Sequence, residues 1–470
     1  MSFRGRNVLE RVKRKIRSLG NMGKDVPRWT PATVGYEEVF EEMARWVTSA
    51  VPASLDNAGR RSAKRAVLDA IVCMLVGAST KEGHTTLAFA AQASPSGPCV
   101  VPGTEFKLSS WQAAYAGSAL CQIHDANDGY RRAGGKGGAY HPGRVVVPVA
   151  LAVGQEADMS GIEFLTAVAV GYDIATRAVN GPLASPSDAY GSAAVACRAL
   201  YLSPPQTAFA LRVAGFASPR SGAQDFETNN LTCAQQARSG VEAAWLTKLG
   251  YPLSRALIEE PTRFAFSAPG RLGQTLDELY FKPYPACRYT HYYIEAALNL
   301  RPKIVGRLPS IDAIRIHVPT RWNGPAHRVG RGEYFKSYEF SIAYTAVAAL
   351  VDGDFGLAQV KPERTDDSLI QELQARTSLL EFEAESDLAG TIEIVMTDGS
   401  VFSETVSVAQ GGSERPLPDE ALSERMVRWV GVAPEDADAL LDVVMRLDTS
   451  GSLDDVAACM ATLGERYAFV

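Results

Sequence analysis

The stretch V-L-D-A-I-V-C-M-L-V-G, residues 67–77, decides the fold. It follows a basic turn (Arg60, Arg61, Lys64, Arg65) and is apolar almost all round, the pattern of a helix buried on nearly every side. Working outward, residues 111–123, 145–153 and 162–179 repeat that character, with frequent Ala and Gly that let helices approach closely. Turn-rich separators lie at 94–98, 131–143 and 180–188. The first half therefore predicts an all-helical body. Around Tyr280 the period changes. Residues 311–318 (I-D-A-I-R-I-H-V) alternate as a strand with one buried face, 379–384 do so more weakly, and 392–396 and 401–406 flank Asp398-Gly399, a strong hairpin signal. Residues 338–351 and 367–377 predict helices between these strands, and 420–430 and 435–447 return to helix. The expected fold is mainly α: a basic arm (1–30), a large all-helical domain (31–278), a smaller α+β lid domain (279–411) and C-terminal helices (412–470) that rejoin the first domain.

The chain has 470 residues, 46% hydrophobic and 21% charged, which excludes a disordered or fibrous protein. A net charge of −6 gives no global positive field, so no nucleic-acid partner is expected. The seven cysteines lie far apart with no C-x-x-C pair, as in a reduced, cytoplasmic protein, and no segment is apolar for long enough to span a membrane. The arm at 1–29 combines Arg and Lys with apolar residues at helical spacing; it reads as a solvated extension or packing arm, or as a transit peptide or membrane-surface helix. Phosphate-loop, H-E-x-x-H and G-x-S-x-G motifs are absent, and the six histidines show no metal-ligand spacing, so no metal is assigned.

Three stretches carry polar residues that their surroundings do not explain. The first is I-H-D-A-N-D-G-Y (123–130), containing His124, Asp125 and Asp128, followed by Tyr140-His141-Pro142-Gly143. Carboxylates and histidines at the ends of buried helices suit general acid/base work, although helix capping and a satisfied core histidine account for them equally well. His141 precedes Pro142 and a helix N-terminus, whose dipole disfavours the imidazolium. The glycines at 134, 135, 137 and 138 allow the preceding loop to bring Arg131, Arg132 and Lys136 over an anion. The second stretch is F-K-P-Y-P-A-C-R-Y-T-H (281–291), where Lys282, Cys287, Arg288 and His291 lie between stiffening prolines: an anion site at a domain boundary, or a rigid linker with solvated cations. The third is Y-E-F-S-I-A-Y (338–344), where Ser341 and Tyr344 share a helix face at i, i+3 and either offer two hydroxyls or pack in a core.

In order, D-A-N-D, H-P, V-P-V-A-L-A-V-G, the 160–177 helix, K-P-Y-P-A-C-R-Y-T-H and S-I-A-Y-T-A-V-A-A-L-V-D-G resemble the MmgE/PrpD family, whose members include 2-methylcitrate dehydratase, cis-aconitate decarboxylase and iminodisuccinate epimerase. The resemblance covers residues 36–430. It implies a homodimer of two-domain subunits with an interdomain active site, no cofactor, and a small carboxylate or carbonyl substrate. It also implies an acid/base pair Asp125 and His141, with Lys282 and Tyr344 polarising substrate; an ungapped match of the preceding helix sets His124 where the family has its first aspartate. His124, Asp128, Arg132, Lys136, Cys287, Arg288, His291 and Ser341 are the expected substrate-binding residues. The chain departs from the family pattern at 180–191, which lacks a histidine, and at 229–244, which lacks a lysine and a histidine. The expected function is a cofactor-independent lyase or isomerase abstracting a proton α to a carboxylate or carbonyl, leading to dehydration, decarboxylation or epimerisation of a divergent substrate. The rival is a non-catalytic binding or structural subunit of the same fold.

Overall fold

The computed structural model describes residues 36–93, 96–104, 106–130, 140–180, 187–219, 228–251, 264–320, 324, 328, 334–383 and 390–467. The basic arm and the loop carrying Arg131, Arg132 and Lys136 lie outside them. Seventeen α-helices and only small sheets make up the described residues. No helix among the described residues is long and apolar enough to cross a membrane.

Helices α1 (Tyr36–Ser49), α2 (Asn57–Ala78), α3 (Lys81–Ala93), α4 (Ser110–Cys121), α5 (Gly143–Glu156), α6 (Gly161–Arg177), α7 (Ser187–Ala199), α8 (Pro204–Ala217) and α9 (Asn229–Lys248) form the helical body. Helix α2 starts where the Asp56 side chain caps the Gly59 amide, and every residue from Ala66 to Ala78 is buried, as its all-round apolar sequence requires. Helix α6 opens with a capping box, Ser160 against Glu163. Small residues set the spacing: a Cβ on Gly77 would sit 2.1 Å from the Leu120 carbonyl oxygen of α4.

The α+β unit contains α10 (His291–Ile304), α11 (Phe335–Phe340), α12 (Ile342–Asp352), α13 (Pro362–Thr365) and α14 (Ser368–Ala375), with strands β1 (Ile311–Pro319), β2 (Thr377–Phe382), β3 (Gly390–Met396) and β4 (Val401–Val406). The sheet order is β4-β3-β1-β2, with β1 and β2 parallel and the other pairs antiparallel. The β3–β4 turn places Gly399 at φ 84°, in the left-handed region that the Asp-Gly sequence favours. Its apolar core runs from Tyr284 to Ala409 and is a cluster separate from that of the helical body. Helices α15 (Asp419–Val430), α16 (Pro434–Met445) and α17 (Leu453–Tyr467) follow, and α15 packs on α2.

Two local expectations differ from the structure. The helix expected over 338–351 is broken at Ser341, whose extended backbone (ψ 114°) ends α11 and whose side chain caps α12 by accepting from the Tyr344 amide. Helix α17 was not expected; its buried stripe, Leu453, Val456, Met460 and Leu463, is interrupted by Asp454, Asp455 and Thr462.

Candidate active site

The loop after α4 carries His124, Asp125 and Asp128, and it is stitched to the segment leading into the α+β unit by a two-residue ladder, Gly129 opposite Tyr280 and Tyr130 opposite Leu279. This juxtaposition buries Lys282 completely and brings its Nζ within 2.8 Å of both the Asp125 carboxylate Oδ1 and the Asp125 carbonyl oxygen. An ammonium has three N–H donors, so one remains beyond these two. Burial pushes the Asp125 carboxyl up, but Lys282 first and then His141 outweigh it and hold the pKa down at about 2. Asp125 is an anion locked to a cation.

His141 stands just before α5, with Nδ1 2.6 Å from the Asp128 carbonyl oxygen. The contact assigns Nδ1 as the protonated nitrogen and leaves Nε2 with the lone pair. Burial, followed by the positive charge of Lys282, depresses the His141 pKa to about 3, against the opposing pull of Asp125. The imidazole is therefore neutral, as its position before a helix suggested; the larger cause is desolvation. Part of its surface stays open to solvent.

Asp128 underlies this arrangement. Its carboxylate accepts from the Tyr172 hydroxyl (2.6 Å) and the Gly143 amide (3.2 Å), while its own amide donates to Asp69 Oδ2 (2.8 Å). A Cβ on Gly143 would lie 2.5 Å from Asp128 Oδ1, so only glycine admits this approach. Burial and the neighbouring Asp69 push the Asp128 pKa up to about 7. Asp69 pairs with Arg425 of α15 (2.7 Å), and Arg425 also donates to the Lys282 carbonyl (3.1 Å). Asp69 is the single charge in the apolar run 67–77, and its role became visible only with its partner, 356 residues away in the chain.

The α+β unit closes the site with Lys336 and Glu339 of α11, neither of which sequence reasoning selected. Glu339 Oε1 lies 2.5 Å from His124 Nδ1, and its Oε2 accepts from the Asp125 amide at 3.0 Å. Lys336 donates to the Gln122 carbonyl at 2.8 Å. Behind them Arg144 pairs with Asp188 (3.0 Å), which also accepts from the Tyr140 hydroxyl (2.5 Å). The signal for Lys336 and Glu339 was their i, i+3 spacing on either side of Tyr338, visible in K-S-Y-E.

Other expected residues lie apart from this cluster or serve it indirectly. Tyr344 is buried in the core of the α+β unit against Tyr338 (ring centroids 4.6 Å), and its hydroxyl donates to the Gln359 carbonyl. It does not join Asp125, because α12 starts afresh at Ser341, which is spent as a cap. Arg288 donates to the Gln410 and Ala409 carbonyls and lies over the Tyr280 ring, a tie between the two chain crossings. Cys287 is buried, and Asp125 is among the charges acting on its thiol, which burial pushes up to about 12. His291 is fully buried, with Nε2 3.1 Å from the Ala286 carbonyl. Arg132 and Lys136 fall outside the described residues. Among the described residues no three His, Cys, Asp or Glu side chains gather to hold a metal ion.

The chain is 24% identical to human cis-aconitate decarboxylase over 82% of its length and 86% of the relative's. The figures are 24% for the mouse cis-aconitate decarboxylase, over 78% and 81%, and 23% for an Aspergillus oryzae cis-aconitate decarboxylase-like protein, over 90% and 97%. The family model for the MmgE/PrpD N-terminal domain matches residues 41–268, and that for the MmgE/PrpD C-terminal domain matches 284–449. With both halves matched, this chain belongs to the MmgE/PrpD family.

Proposed function

We propose that this chain is a cofactor-independent lyase acting on a small carboxylate. The neutral His141 takes a proton from the carbon α to the carboxylate, and the Lys282 ammonium stabilises the charge that develops on the carboxylate oxygens. Loss of a β-hydroxyl as hydroxide completes an elimination, and return of the proton to the opposite face is the isomerase outcome; in a decarboxylation the bond to the departing carbon dioxide breaks instead, its electron pair stays on carbon, and a proton drawn from water through His141 takes its place. The observation that carries the reading is His141, whose Nδ1 is committed to the Asp128 carbonyl, set beside the buried Asp125–Lys282 pair. A non-catalytic subunit has no need of a depressed imidazole next to a desolvated ion pair.

Decarboxylation is supported by the human and mouse relatives, which are cis-aconitate decarboxylases. The substrate here is divergent, because the region 229–244 lacks the lysine and histidine of the family pattern and Glu339 already occupies the His124 and Asp125 donors. A homodimer is part of this reading, as is a reducing, cytoplasmic setting, which is supported by seven cysteines none of which is disulfide-bonded.

The test is incubation in D₂O with cis-aconitate, 2-hydroxy acids and amino-dicarboxylates, read by NMR. Deuterium uptake or product from at least one class is expected. A panel returned unlabelled and unchanged would sink the acid/base assignment.

A further inference from the structure

Tyr280 is 4% exposed, and its hydroxyl has no hydrogen-bond partner among the described residues. Buried tyrosine hydroxyls are nearly always bonded, so an orphan of this kind is free to take a hydrogen-bonding ligand. Its surroundings are those of the proposed site. The ring stands edge-on to His141 (centroids 6.4 Å, 86°), and the Arg288 guanidinium lies 4.9 Å over its face. The phenol end crosses Gly129 so closely that a Cβ there would lie 2.2 Å from the hydroxyl oxygen. Only a glycine in the D-A-N-D-G-Y loop lets the phenol reach this position. Burial first, then the Asp125 and Cys287 charges, push its pKa well above the usual phenol value against the pull of Arg288, so the group stays a neutral O–H donor.

We propose that the Tyr280 hydroxyl is a catalytic residue that donates a hydrogen bond to the substrate's carboxylate oxygen, alongside the remaining N–H of Lys282. The inference rests on the proposed proton abstraction and adds the second donor of its anion-stabilising pair. As His141 Nε2 takes the proton, the C–H electron pair moves toward the carboxylate and charge builds on its oxygens. Tyr280 and Lys282 keep their protons and hold that charge until the leaving group departs or the proton returns. The tyrosine implied by the family resemblance, Tyr344, is engaged by Gln359 inside the α+β core, and Tyr280, two residues before Lys282, supplies the phenol in its place.

The test is Tyr280→Phe in the full chain, assayed beside the wild type for deuterium uptake and turnover with the same panel, starting from cis-aconitate, and melted by circular dichroism. A fall of about 10²-fold or more in kcat with unchanged or raised Tm is expected, since removing an unpartnered donor does not destabilise a fold. If the wild type turns over and Tyr280→Phe matches it within twofold in kcat and KM, the inference is overturned while the proton-abstraction reading stands. A variant that unfolds also overturns it, by showing that the hydroxyl has a structural partner. A wild type inert toward the whole panel removes the reading on which the inference rests.

Discussion

At the scale of single residues, the site works through protonation states that its neighbours impose. His141→Asn keeps a donor to the Asp128 carbonyl but has no basic nitrogen; kcat should fall by at least about 10³-fold with stability changed by less than roughly 1 kcal/mol, measured by steady-state kinetics and urea unfolding. Because burial and Lys282 lower the His141 pKa to about 3, the acid limb of the kcat/KM profile should lie below pH 5. A limb at the ordinary imidazole value of about 6.5 would contradict a buried neutral base. Asp128 gives the opposite sign. Its pKa is raised from 3.8 to about 7, so its contribution to stability is complete below the unfolded value and is lost as pH rises through 7. Asp128→Asn has no carboxyl to ionise beside Asp69, and its Tm relative to wild type should therefore climb between pH 5 and pH 8. A Tm difference independent of pH would show that Asp128 is already ionised at pH 5. The direction of the His141 shift was suggested by its place before a helix; its size, and the Asp128 shift altogether, were not legible in the sequence, because they depend on burial and on charges brought from distant segments.

At the scale of elements, α11 and the segment leading into the α+β unit hold the site closed. Glu339 reaches from α11 to His124 and the Asp125 amide, so Glu339→Ala should cost about 1.5–3 kcal/mol and speed amide exchange at Asp125, while Glu339→Gln keeps one acceptor and should recover part of both. Equal effects from the two variants would argue that the carboxylate does not bridge the elements. Where the chain enters and leaves the α+β unit, the Phe281 amide donates to the Gly411 carbonyl at 2.9 Å, and Gly411 has φ 101°. A Cβ there would sit 1.9 Å from the Phe281 carbonyl oxygen. Gly411→Ala should therefore destabilise by roughly 3 kcal/mol or more in chemical unfolding, and a near-neutral result would mean that the two crossings do not pack as described. The element types here were readable. β1, β3 and β4 follow from alternation and Asp-Gly chemistry, and α2, α4, α5 and α6 follow from apolar runs too long for strands. The break at Ser341 was not readable, since F-S-I-A continues a helical pattern and only the cap geometry shows the chain turning.

At the scale of the whole molecule, a homodimer predicts twice the 50.5 kDa chain mass in light scattering at micromolar concentration, and a monomer with full turnover would remove that part of the proposal. The family resemblance implied a shared role for Asp125, His141 and Lys282, and the sequence by itself determined the mainly helical class and the period change near Tyr280. Those features rest on local periodicity and on residue types that a segment carries wherever it is placed. Only the tertiary structure decided which polar residues meet. It set Tyr344 in a separate apolar core, joined Glu339 to His124 and Asp69 to Arg425, and left the Tyr280 hydroxyl, beside His141, without a partner among the described residues. The reason is physical: hydrogen-bond reach and desolvation depend on through-space distances of a few ångströms, and these separations between residues hundreds of positions apart are fixed only when the two cores pack.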